Sequence, residues 1–328
     1  MLLGLIFVGV AVSVGAFILD VFANKKTDIN GSHVVVTGGT SGIGKALAIK
    51  LAKCGASVTI LARNMERLEE TVKEVKKHLA PDRKVLALSV DIARDATDVE
   101  NTINQACESL GPVDIFINCA GFAVCGLFED TSVDNFKAMI NTNYLGSVFT
   151  SRAVVKKMKE RKKGHVVFVS SIGGQFGIFG FTAYTPSKFA LRGFAEALFM
   201  EVKPYNVAVS VVFPPDTDTP GFENENKHKP EETHEISSSA GLFTPDQVAT
   251  NIVSGIKERK FLISCGLDGF VVKTLTAGVS PPSSLLELLI EVCFLMGPLR
   301  LMFAFYLQHY DRIVKKGMQK RQESKKTN

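Results

Sequence analysis

Six short runs of β-branched and aliphatic residues recur between His33 and Val212, each separated from the next by a stretch long enough to hold a turn or a helix. They are His33–Thr37, Ser57–Leu61, Val85–Ser89, Val113–Ile117, His165–Val169 and Val207–Val212. Runs that are apolar almost throughout, rather than at every second position, suit strands buried on both faces. Such strands lie parallel, joined by right-handed crossovers that place helices on both sides of the sheet. The expected fold is one doubly wound α/β domain over residues 32–260, with no internal repeat or low-complexity stretch. Pro214–Thr244 breaks the pattern: it is rich in Pro, Asp, Glu, Asn and Ser and reads as a mobile loop over a substrate site.

Directly after the first run comes Thr37-Gly38-Gly39-Thr40-Ser41-Gly42-Ile43-Gly44. Glycines at 38, 42 and 44 allow a tight turn and close backbone approach to a pyrophosphate, which then rests on the N-terminus of the next helix. That makes the domain Rossmann-type and the ligand a dinucleotide. The second run ends Leu61-Ala62-Arg63-Asn64. A dinucleotide lacking the 2′-phosphate is normally read by a carboxylate at this point. Here Ala62 removes the repelling acid and Arg63 supplies a guanidinium for a 2′-phosphate, so NADPH is expected over NADH. Asp91, closing the third run, is placed for the adenine amino group, and Asn118-Cys119-Ala120-Gly121 ends the fourth beside the cofactor.

The fifth run leads into Ser170-Ser171, and Tyr184-Thr185-Pro186-Ser187-Lys188 follows. Tyr and Lys at i and i+4 share one helix face. A free phenol, with its pKa near 10, is a poor proton shuttle at neutral pH; a nearby ammonium stabilises the phenolate and lowers that value. Tyr184 is then the proton donor to a carbonyl oxygen, Ser171 a hydrogen-bond donor to the developing alkoxide, and Lys188 the group that tunes Tyr184 and holds the nicotinamide ribose. Asn143 is expected to anchor a water relaying protons to Lys188.

Gly38-x-x-x-Gly42-Ile43-Gly44, Asn118-Cys119-Ala120-Gly121, Asn143, Ser171 and Tyr184-x-x-x-Lys188, in that order, resemble the short-chain dehydrogenase/reductase signature. The resemblance covers roughly residues 32–260. It implies a seven-stranded sheet, NAD(P)(H) dependence, no metal in hydride transfer, a cofactor contact from Thr219, and frequent homo-oligomers, either dimers or tetramers. Two positions depart from the family pattern. Cys119 stands where a second Asn is usual, and Pro186 follows the tyrosine where Ala or Ser is commoner; near a helix start a proline costs little.

Phe179–Tyr184, Met200–Val207 and Phe213–Phe222 are similar to the membrane-bound branch of the family that reduces long-chain 3-keto sphingoid bases. Pro214-Pro215 is the distinctive part, replacing the usual Pro-Gly. This implies reduction of a long-chain amino-ketone at the endoplasmic-reticulum membrane, with the catalytic domain facing the cytosol. Phe176, Phe179 and Phe181 offer an apolar wall to its chain, and Asp216, Asp218 or Glu223 a partner to its ammonium. A steroid, retinoid or 3-ketoacyl reductase shares every catalytic residue and is the alternative; a silent nucleotide-binding scaffold is disfavoured by the intact catalytic set.

A mean hydropathy of +0.16 is high for a soluble enzyme, and the excess sits at the ends. Leu2–Leu19 is uncharged and, at about 1.5 Å per residue, spans roughly 27 Å, near the hydrocarbon thickness. Residues 1–24 read as a membrane anchor whose following Lys25 and Lys26 keep the domain in the cytosol. Residues 261–310 contain a second apolar stretch, Leu285–Leu307, broken by Glu287, Glu291, Gly297-Pro298 and Arg300. Three ionisable groups are costly in a clean span. Two short re-entrant or interfacial helices hinged at Gly297-Pro298 are expected, with an apolar lid over the substrate site as the competitor. Residues 311–328 form a basic tail, with seven Lys/Arg against Asp311 and Glu323, in a chain whose net charge is only +5. That distribution suits an anionic membrane surface and gives no face for nucleic acid. Lys325 and Lys326 resemble a dilysine retrieval signal. The six cysteines are scattered without ligand spacing and read as reduced thiols, with no metal site.

Overall fold

The computed structural model describes residues 26–238 and 241–327, the side chains of 285, 286 and 324–327 excepted. The anchor expected over residues 1–24 and the dilysine side chains lie outside the described residues.

Seven parallel strands form one sheet in the order β3-β2-β1-β4-β5-β6-β7. They are β1 (His33–Thr37), β2 (Ser57–Ala62), β3 (Val85–Ser89), β4 (Ile115–Asn118), β5 (Gly164–Val169), β6 (Val207–Phe213) and β7 (Leu262–Ser264). All seven positions of β6 and all five of β1 are buried, as strands covered on both faces require. Alternate residues feed separate cores. Val35 joins a cluster with Val99, Val154 and Leu191 on one side. Val34 and Val36 join Leu47, Leu68 and Ile252 on the other. Burying each such side chain contributes about 1.5–3 kcal/mol.

The helices on the second side are α1 (Gly42–Lys53), α2 (Met65–Lys76) and α9 (Pro245–Lys257). Those on the first are α3 (Ala96–Leu110), α5 (Gly146–Arg161) and α6 (Tyr184–Val202). Between α4 (Val133–Met139) and α5 the chain makes a π-helical turn over Ile140–Leu145, with Asn143 inside it.

Two sequence-based expectations change. The segment Pro214–Thr244 is partly helical, carrying α7 (Pro220–Asn226) and α8 (Glu231–Ser237). Its prolines start helices, Pro220 with Thr219 as N-cap and Pro230 just ahead of Glu231, rather than break them. The C-terminal stretch has no hinge at Gly297-Pro298. After α10 (Gly266–Thr276), α11 (Leu285–Ile290) passes through a π-helical turn at Glu291–Leu295 into α12 (Met296–Thr327). Pro298 follows directly on the π turn, and the helix runs on through it. Glu287 and Glu291 do not face outward either: both pair with Lys273 of α10, Glu291 at 3.2 Å.

Candidate active site

β1 pairs with both β2 and β4, so the chain changes direction at β1, and a crevice opens at the carboxyl ends of β1 and β4. It holds a cavity of about 960 Å³. At one end lie Gly38, Thr40, Ser41, Gly42, Ile43 and Gly44, the glycine turn entering α1. Gly42 has φ +50°, and a Cβ there would sit 2.7 Å from the Thr219 methyl; a Cβ on Gly38 would come within 2.8 Å of the Ala120 backbone. Only glycine leaves this backbone free to approach a ligand. Such a cradle, at the N-terminus of a twelve-residue helix, fits the pyrophosphate of a dinucleotide.

Arg63, Asp91 and Thr219 also line the cavity. The Asp91 carboxylate accepts the Ala93 N–H at 3.0 Å, and the Thr219 hydroxyl caps α7 through the Phe222 N–H.

Tyr184 opens α6, and Pro186 therefore falls in the first turn, where no intrahelical partner is lost. Ser171, just past β5, lines the cavity with Tyr184, and its Oγ accepts the Gly173 N–H at 3.1 Å. The buried Lys188 Nζ donates to the Val169 carbonyl at 2.9 Å and lies 5.7 Å from the Tyr184 ring centre. Burial pushes the Lys188 ammonium down to about 8. Contrary to the lowering expected from the Lys188 ammonium, burial raises the Tyr184 phenol above its ordinary range, opposed by Ser171 and reinforced by the Glu225 and Asp216 charges. The phenol is thus held protonated in the free protein, which suits a proton donor.

Three comparisons bear on this arrangement. The profile described as short chain dehydrogenase matches residues 32–230. A 3-dehydrosphinganine reductase of Danio rerio is 49% identical over 323 residues, 96% of this chain and 97% of that protein. A 3-ketodihydrosphingosine reductase of Bos taurus is 50% identical over 315 residues, covering 94% and 95%. The crystal structure of levodione reductase superposes with a TM-score of 0.63 at 27% identity, over 69% of this chain and 90% of that one.

The chain belongs to the short chain dehydrogenase family. It is an oxidoreductase of that family, whose reductases use nicotinamide cofactors.

Within this family frame, two residues expected at the site stand behind it. Asn118 is buried with its side chain turned toward α5, accepting from the Thr150 hydroxyl at 2.6 Å and facing the Ser151 hydroxyl at 3.4 Å. Asn143 is fully buried. It bonds the Phe122 N–H and carbonyl, each at 3.0 Å, and the Ser187 hydroxyl at 2.9 Å. Neither lines the cavity. Asn143 fixes the Gly121–Phe122 turn against α6 beside Lys188; a Cβ on Gly121 would stand 2.9 Å from its Oδ1 and 3.3 Å from Lys188 Nζ. Cys119, the departure from the family pattern, lines the cavity with its thiol pushed up to about 12 by burial and is an inert neighbour of Lys188.

The acidic loop divides. Asp216 lines the cavity, whereas Asp218 and Glu223 are exposed and do not. Sequence reading missed Glu225, which lines it too, and Lys229, whose fully buried ammonium lies 2.7 Å from Glu225 and 3.6 Å from Asp216. Two carboxylates share one cation, and burial raises both carboxyl groups. Arg67, in the first turn of α2, joins Arg63 at the cofactor end. Its signal was available: Asn64 is an N-cap, accepting the Arg67 N–H at 2.8 Å, and a helix starting there turns residue 67 back toward the end of β2. The other end of the cavity is apolar, lined by Phe176, Phe181, Leu299, Met302, Phe303 and Tyr306. Phe179, the third aromatic of the expected wall, does not line it.

Proposed function

We propose that the chain reduces the ketone of a long-chain 3-keto sphingoid base, 3-dehydrosphinganine, to the alcohol sphinganine with NADPH, at the cytosolic face of the endoplasmic-reticulum membrane. The observation carrying this reading is one cavity lined by a phenol, a surplus carboxylate and a stretch of apolar side chains. These match the ketone, the 2-ammonium and the alkyl chain of one substrate. The names of the relatives from Danio rerio and Bos taurus support the same substrate class.

Bound NADPH supplies the hydride. Tyr184 holds the proton that the carbonyl oxygen takes up, and Ser171 donates a hydrogen bond to that oxygen as its charge develops. Lys188 keeps a positive charge behind the phenol, favouring its proton release, and reaches toward the ribose. Asn143 steadies the backbone at Gly121–Phe122, which would help hold the nicotinamide end. Gly38 through Gly44 seat the pyrophosphate, Asp91 meets the adenine, and Arg63 with Arg67 makes a two-guanidinium site for the 2′-phosphate. Asp216 and Glu225, with Lys229 between them, carry a net negative charge that draws the substrate ammonium. Cells keep NADPH reduced, so reduction is the expected direction.

The test compares turnover of 3-dehydrosphinganine with that of steroid, retinoid and 3-ketoacyl substrates, using NADPH and NADH in turn. Preference for the sphingoid base with NADPH is expected, and Tyr184→Phe abolishes it while NADPH still binds. Faster turnover of a steroid, retinoid or 3-ketoacyl ketone overturns the substrate assignment.

A further inference from the structure

The stretch Glu287–Glu323 is long and apolar enough to cross a membrane, with mean hydropathy 1.9 in its most apolar window. Its contacts argue against crossing. Near its start Glu287 and Glu291 pair with Lys273 of α10. Near its end Lys320 pairs with Glu231 at 2.6 Å and Arg321 with Glu232, both partners lying in α8. Between these, Phe303 packs edge-on against Phe176 at 5.4 Å, and Ile313 is buried. Glu287 and Arg321 are about 50 Å apart along the helix axis. A helix crossing a bilayer of about 30 Å would carry those two ends into opposite aqueous phases. Here one catalytic domain holds both.

The two faces differ in use but not in polarity. Leu299, Met302, Phe303, Tyr306 and Tyr310 turn inward and line the catalytic cavity. Phe294, Leu301 and Phe305, spaced seven and four residues apart, share the opposite face and are exposed by 71%, 69% and 71%. From Leu289 to Leu307, about 27 Å of helix, the only charged residue besides the paired Glu291 is Arg300. Beyond it the exposed Arg312, Lys315 and Lys316 follow. An apolar face continued by cations is the pattern of a helix lying in the membrane interface, its apolar side at acyl depth and its basic residues among anionic headgroups.

We infer that the outer face of α11–α12 docks flat on a lipid bilayer and that α12 is the wall between that bilayer and the catalytic cavity. A long-chain ketone then passes from the membrane around α12 to Tyr184 without its chain crossing water. The purpose of this arrangement rests on the proposed lipid substrate; its geometry does not.

The chain contains no tryptophan, so Phe294→Trp, Leu301→Trp and Phe305→Trp each introduce a sole tryptophan, excited selectively at its red edge, into the full-length protein. The variants are reconstituted in phosphatidylcholine–phosphatidylserine vesicles containing lipids brominated near the headgroup or near the chain ends. Retained reductase turnover checks folding. Equal loss of emission at all three positions, stronger with the shallow quencher, is expected. Quenching depth that steps along the helix would show a span, and emission unquenched by any lipid would show a water-exposed lid; either overturns the inference. A second arm pairs Leu301→Glu with Phe305→Glu. It lowers turnover of the long-chain ketone in vesicles several-fold and leaves a short, water-soluble amino-ketone unaffected; equal loss on both counts against the inference. If the parent protein turns over neither ketone, the substrate reading fails while the depth result stands.

Discussion

Lys188 carries its charge in a buried site, and burial lowers its pKa to about 8 while raising that of Tyr184. The two shifts set the sign of the pH dependence. Below about 8 Lys188 is charged and Tyr184 loaded with its proton; as pH rises through that value the ammonium is lost first. The reductive kcat/KM is expected to fall with a midpoint near pH 8, and Lys188→Arg, which stays charged, should remove that limb from whatever activity remains. A pH profile flat through this region would refute the assignment. Asp216 gives a second prediction at this scale. Asp216→Asn cancels the surplus charge of its set with Glu225 and Lys229, so KM for an amino-ketone should rise about tenfold, the size of one charge-assisted contact. KM for the same ketone without its amine should hold. Equal changes for both substrates would show that Asp216 only supports the fold. Tyr184, Lys188 and Ser171 were legible in the sequence because helical spacing and a strand end fix where they point. Lys229 was not, because only folding brings its ammonium between two carboxylates.

The junction of β2 and α2 places Arg63 and Arg67 on one rim of the cavity. On the proposed NADPH reading, replacing Arg63 with Ala removes one of the two guanidinium groups offered to a 2′-phosphate. The Kd for NADPH should rise about tenfold while that for NADH changes little, with a larger loss when Arg67 is also replaced, measured by cofactor fluorescence titration. Parallel loss of both cofactors would mean that the pair shapes the backbone instead. Five of the six apolar runs lie within a residue of the observed strands at both ends, because a strand buried on both faces is written as an unbroken apolar run. Val113 falls outside β4, since the Asp114 carboxylate takes the His33 N–H and pairs with Arg161 and Lys163 just before the ladder begins. The seventh strand, Leu262–Ser264, is three residues long and offers no periodicity to read; its place comes from pairing with β6.

Over the whole molecule, the C-terminal helix is joined to the catalytic domain by a small set of charges. Lys273→Met leaves Glu287 and Glu291 without their cation, and breaking a buried pair in this way costs about 3 kcal/mol. Hydrogen exchange should show residues 285–321 opening more readily while the β1–β6 core keeps its protection; unchanged exchange there would mean that aromatic packing alone seats the helix. The sequence by itself determined the doubly wound sheet, the cofactor turn and the Tyr184–Lys188 pair, since each depends on local spacing along one strand or helix. Only the tertiary structure decided how the apolar C-terminus is used. Its carboxylates looked like obstacles to a membrane segment until Lys273 met them, and Gly297-Pro298 looked like a hinge until the helix ran on through it. Both outcomes rest on contacts or register outside the local hydropathy pattern, which records how much apolar surface a helix has and not which neighbour covers it.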